Sequence, residues 1–221
     1  MKTIWLKLGR KIGYAFFPAR CPFCDRVIEP SQNTCESCAE TVLPFKLEDN
    51  VWEKGMDGLI FLYPYEERPK EAVKRLKFEG RKDLAVPLAR LMWAQIQKSG
   101  LIFDVIVPVP MSRKKLRKRG YNQAQVLAQE ISRLSGIPLT NCLGHREMDT
   151  EQHHLSQKER RYWAKRTYFV SDKASCSDKR VLLIDDVYTT GSTVNACEKC
   201  LKMAGASSVA AAVLCKTERK N

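Results

Sequence analysis

With 221 residues and 44% hydrophobic content, the chain has room and apolar mass for one ordinary domain plus a small module, which excludes a disordered protein. The formal net charge is +13, and residues 1–50 carry seven Lys/Arg against six Asp/Glu, so the basic excess belongs to residues 51–221 and favours anionic partners such as phosphates, nucleic acid or an acidic protein. No signal-peptide core and no run approaching about 20 apolar residues is present, so the expected location is cytoplasmic, where the nine cysteines stay reduced.

Ile4, Trp5, Leu8, Ile12 and Phe16 recur at helical spacing with Lys and Arg on the other side. They form either a short helix packed on the rest of the chain or one that lies on a membrane face or partner. Pro18 ends it. Next comes Cys21-Pro-Phe-Cys24, ten residues, then Cys35-Glu-Ser-Cys38. Each CxxC offers two sulfurs to one ion, and Cys21, Cys24, Cys35 and Cys38 together complete the closed tetrahedral shell of a structural metal. Four soft ligands favour Zn²⁺, with iron the lesser option. All four positions are filled by protein, so the site holds structure and does no catalysis. The expected division is a helix and Cys₄ zinc ribbon over residues 1–50 and an α/β domain over residues 51–221.

Within the second unit, residues 58–65 read as a strand, 69–78 and 83–97 as amphipathic helices, and 104–110 as a short buried strand. Arg113, Lys114, Lys115, Arg117, Lys118 and Arg119 follow as a basic loop beside that strand end. Residues 121–134 read as a helix, 139–143 as a strand, and 145–165 as a long polar loop. That loop holds His153 and His154, read as a surface pair with a proton-transfer role as the alternative. A second basic cluster, Lys158, Arg160, Arg161, Lys165 and Arg166, runs through its end and just past it, interleaved with Tyr162, Trp163 and Tyr168. Charge alternating with aromatic rings suits single strands of nucleic acid.

Residues 181–184 are a buried strand, 192–204 a helix and 208–214 a strand, so the sheet is parallel there. Cys197 and Cys200 fall inside that helix and read as packing residues, as do Cys142, Cys176 and Cys215. Between strand and helix stand Asp185 and Asp186, then Thr189, Thr190, Gly191, Ser192 and Thr193. Backbone N–H groups at the helix start attract a phosphate, the hydroxyls add donors, and Gly191 permits close approach. The two carboxylates suit ribose hydroxyls and a Mg²⁺ shell. The lysine of a Walker loop is absent.

The stretch from Val181 to Thr193 resembles the thirteen-residue signature of type I phosphoribosyltransferases: four apolar residues, two acids, then a Thr-Thr-Gly-x-Thr loop. Further segments narrow the resemblance. Leu76-Lys77-Phe78-Glu79-Gly80, Val107-Pro108-Val109-Pro110, Arg117-Lys118-Arg119-Gly120-Tyr121-Asn122-Gln123-Ala124 and Leu155-Ser156 with Arg160, behind the ribbon, are together similar to the ComF family of competence proteins over almost the whole chain. That family often carries Asn where this chain has Trp163. The resemblance implies a type I phosphoribosyltransferase-like parallel sheet flanked by helices. It also implies phosphoribosyl pyrophosphate (PRPP) and Mg²⁺ as ligands, with Asp185 and Asp186 as the catalytic pair. Lys77, Arg113, Arg117, Arg119, Asn122 and Arg160 are then contacts to pyrophosphate or nucleic acid. The implied setting is handling of incoming single-stranded DNA with a competence helicase or recombination mediator, at the cytoplasmic side and peripheral to the membrane. The alternative is an active phosphoribosyltransferase acting on a nucleobase or another acceptor of nucleotide metabolism.

Overall fold

The computed structural model describes residues 18–46, 56–147 and 167–217. The N-terminal amphipathic segment, His153, His154 and all five cations of the second basic cluster, Arg160 among them, lie outside them, as does the boundary between residues 50 and 51.

After the first cysteine knuckle, helix α1 (Glu36–Thr41) leads to strand β1 (Gly58–Pro64). Helix α2 (Glu67–Phe78), a 3₁₀ turn (Lys82–Leu84) and helix α3 (Ala85–Lys98) return the chain to β2 (Val105–Pro108). Helices α4 (Arg113–Arg119) and α5 (Gln123–Ser135) follow, then β3 (Leu143–His145), β4 (Tyr168–Val170), β5 (Arg180–Tyr188), α6 (Ser192–Met203) and β6 (Ser208–Lys216). The main sheet runs β1-β6-β5-β2, all parallel, and β3 pairs with β4 in a separate antiparallel ribbon.

Alternation along the strands builds two cores. Leu182 and Ile184 of β5 point with Ile60, Leu62, Ala212 and Leu214 into a layer under α2, α3 and α5. Val181 and Leu183 point with Leu59, Phe61, Ala211 and Val213 toward α6, β3 and β4. Helices covering both faces of a parallel sheet explain why its strands are apolar on both sides. Buried Cys21, Phe23, Ile28, Cys35 and Cys38 belong to the first layer, with the Phe23 ring edge-on to Tyr63 at 5.2 Å. The cysteine module therefore shares the core of the sheet.

Three sequence expectations need correction. The strand expected over 139–143 lies at Leu143–His145, and Leu139 forms only an isolated bridge with Ile106. Of the loop expected over residues 145–165, His145 is the last residue of β3, which pairs with β4, and residues 148–165 lie outside the described residues. The basic run is helix α4: the Ser112 hydroxyl accepts from the Lys115 amide at the N-cap, and Gly120 at φ 80° ends it. Local capping outweighs the repulsion of like charges. Among the described residues no helix is long and apolar enough to cross a membrane.

Candidate phosphoribosyl site

The site forms where the carboxyl ends of β5 and β2 meet, the place where open α/β sheets bind ligands. Strand β5 runs through both acids, so pleating sends them to opposite faces. Asp186 takes the face of Leu182 and Ile184, and there Lys77 of α2 reaches it, Nζ to Oδ2 2.9 Å. Asp185 takes the face toward α6, and its Oδ1 accepts from the Asp186 amide at 2.8 Å. Both acids are only 8% exposed. Burial first, and then the Asp186 carboxylate beside it, push the Asp185 carboxyl well above the ordinary range.

The chain then turns through Thr189 and Thr190, which are exposed, into Gly191 at φ 76°. A Cβ on Gly191 would run into the hydroxyl end of Tyr188, so both space and backbone conformation call for glycine here. Thr190 and Ser192 share a hydroxyl–hydroxyl hydrogen bond. The Asn195 amide donates to the Gly191 carbonyl at 2.8 Å, the first bond of α6. Earlier amides of a first helical turn have no partner within the helix and suit an anion.

A cavity of about 380 Å³ opens beside this turn. Asp185, Asp186, Thr189 and Thr193 line one side, with cations Lys77, Lys115 and Arg119 among the others. Arg119 donates to the buried Gln123 side chain and lies over the Phe78 ring at 5.0 Å. His145 and Tyr168, partners across the β3–β4 ladder, cover another side, ring centroids 5.3 Å apart and near perpendicular. Burial depresses the His145 pKa, so its imidazole is neutral at pH 7. A roomier groove of about 630 Å³ lies between the cysteine module and α3. Its Arg81 is paired with Asp25 and Asp83, and its Arg90 donates to the Pro30 carbonyl.

Of the expected contacts, Lys77, Arg119 and Asn122 line the cavity, whereas Arg113 and Arg117 do not. Asn122 already caps α5, its Oδ1 accepting from the Ala124 amide at 3.1 Å, and its Nδ2 donates to the Val109 carbonyl at 2.8 Å. The Tyr121 hydroxyl donates to the Leu76 carbonyl, one residue before Lys77. The two motifs around Lys77 and Tyr121 thus fasten to each other. Ser112 and His145 are site residues that the sequence does not single out, and Gln123 stands in the family-like motif without an expected contact. Ser112 stood before the basic run as a cap signal, whereas a three-residue strand around His145 has too few residues to show a period.

Cys21, Cys24, Cys35 and Cys38 hold their sulfurs within 4.8 Å of one another, with Cys24 and Cys35 at 3.5 Å. Sulfurs about 2.3 Å from a tetrahedral zinc lie about 3.8 Å apart, so the cluster fits that ion.

The chain belongs to the phosphoribosyl transferase domain family, whose model matches residues 84–221. More narrowly it resembles the competence proteins of the ComF type. It is 29% identical to Competence protein F of Haemophilus influenzae over 196 residues, covering 86% of this chain and 81% of that protein. It is also 29% identical to Competence protein ComFC of Streptococcus pneumoniae over 193 residues, 86% of this chain and 84% of that one. With DNA utilization protein YhgH of Escherichia coli it shares 28% identity over 203 residues, 89% of this chain and 84% of that protein.

Proposed function

We propose that the cavity binds PRPP with Mg²⁺, and that the protein uses this pocket in the handling of single-stranded DNA. The observation that carries the reading is the acid pair: two carboxylates at one strand end, next to a hydroxyl-rich turn that opens a helix. The turn's amides and hydroxyls would hold the 5′-phosphate. Asp185 and Asp186 would accept from the ribose hydroxyls and fix the ring. Lys77, Lys115 and Arg119 would face the pyrophosphate. Carboxylate oxygens are the hard donors that Mg²⁺ prefers. The ion, when bound with the ligand, neutralises pyrophosphate charge.

A role with DNA is supported by the name of the DNA utilization relative, and one with single strands by α4. Six of the seven residues Arg113–Arg119 are basic, and Phe78, 71% exposed, stands beside Arg119. Binding to a short oligonucleotide should weaken steeply with salt. A second reading, an active phosphoribosyltransferase, is favoured by the neutral His145 and Tyr168 above the cavity, which could receive an aromatic acceptor. Product formation with a panel of nucleobases separates it from a binding role.

Calorimetry with PRPP, with and without Mg²⁺, tests the site. Binding is expected for the native chain and its loss in Thr190→Val and in the Asp185→Asn plus Asp186→Asn pair. Equal affinity in those variants would move the ligand elsewhere.

A further inference from the structure

Helix α2 touches both the cysteine cluster and the acid pair. Arg68, in its first turn, donates to the Cys38 sulfur at 2.9 Å. Arg75, seven residues on and so on the same face, donates to the Phe23 carbonyl inside the first knuckle at 2.9 Å. Its other guanidinium nitrogen lies 3.8 Å from Asp25, the residue after Cys24, which also pairs with Arg81 at 2.8 Å. Two residues beyond Arg75, Lys77 meets Asp186 at 2.9 Å. Leu76 between them is fully buried, and its carbonyl accepts from Tyr121. The end of α2 is thus clamped by the knuckle through Arg75, and Lys77, two residues on in the same last turn, carries its ammonium to the ligand pocket.

We infer that Arg75 is a positioning residue: it ties the metal-bearing knuckle to the end of α2 and thereby sets Lys77 against Asp186. The metal cluster then acts on the pocket through this helix, in addition to holding its own loops. The contribution to ligand binding rests on the PRPP reading above, whereas the placement of Lys77 does not.

The test uses the full zinc-loaded chain, with one metal per chain verified for every variant. Arg75→Met keeps the aliphatic stem and removes the knuckle bonds. Asp25→Asn is a gentler second variant, because Asp25 sits at φ 62°, a conformation Asn tolerates, and only its charge is lost. The first readout needs no ligand: the side-chain ¹⁵N and ¹³Cε resonances of Lys77, assigned with Lys77→Met. Both variants are expected to shift them toward those of a solvated lysine. Unchanged resonances in both would overturn the proposal. The second readout is PRPP affinity in a double-mutant cycle. Arg75→Met alone is expected to weaken binding about fivefold or more, and to have no further effect when Lys77 is already Met. Equal losses in the presence and absence of Lys77 would show that Arg75 acts on the whole domain and not through Lys77. If the native chain fails to bind PRPP, the ligand reading falls while the lysine resonances still decide the positioning role.

Discussion

Lys77 and Asp186 form an ion pair, Nζ to Oδ2 2.9 Å, between a helix on one face of the sheet and the end of an interior strand. The two side chains are 18% and 11% exposed, so the pair is largely shielded from water. Lys77→Met should leave a half-desolvated carboxylate and destabilise the fold by about 1–3 kcal/mol. Adding Asp186→Asn should recover most of that loss, since the stranded charge goes with it. Urea denaturation of the two singles and the double checks this, and additive losses would contradict it.

Asp185 sets a pH dependence of the opposite kind from most carboxylates. Burial, and then Asp186 beside it, hold its folded-state pKa well above the value of about 3.9 in the unfolded chain. The folded chain therefore binds the proton more tightly. Stability from this group is fully present below about pH 4 and is lost as pH rises from there through the raised folded-state pKa. Asp185→Asn should change stability little at pH below about 4, where the carboxyl is protonated folded and unfolded alike, and should stabilise the protein by at least about 1 kcal/mol at pH 8, or a few degrees in melting temperature. A stability difference that does not change with pH would mean that the carboxyl titrates normally in the fold.

Gly191 supports the turn by having no side chain. With φ at 76° and the Tyr188 hydroxyl where a Cβ would sit, Gly191→Ala should cost about 1–2 kcal/mol. It should also lower PRPP affinity at least tenfold by displacing the amides of the first turn of α6. Thermal melts and calorimetry read the two effects together. Native values for both would show that the turn has slack.

The cysteine cluster contributes Cys21, Phe23, Cys35 and Cys38 to the layer under the sheet. Cys38→Ser should lower zinc content below one per chain and shift a single cooperative unfolding transition downward, because the module has no separate core to melt. Calorimetric scanning that shows an unchanged main transition with a small separate one would make the ribbon an independent unit.

Contiguous signals were legible before any coordinates. The acid pair and hydroxyl turn occupy consecutive positions, and strand, turn and helix each follow from local chemistry. The four cysteines announced themselves by spacing, and the structure brings their sulfurs together. The caps of α4, Ser112 and Gly120, were also present locally, yet the density of charge made a loop the more natural expectation.

What the sequence by itself determined is the set of local conformations and their chemistry: the turn that needs Gly191, the paired knuckles, the apolar strands. Only the tertiary structure decided which cation faces which acid. Pleating sends Asp185 and Asp186 to opposite sides of one strand, and which helix covers each side depends on the order in which strands pair. Lys77 meets Asp186 across 109 positions of sequence, and Arg75 meets the knuckle across 52. Such partners leave no local period or spacing to read, because the free energy that joins them comes from burial shared by the whole sheet.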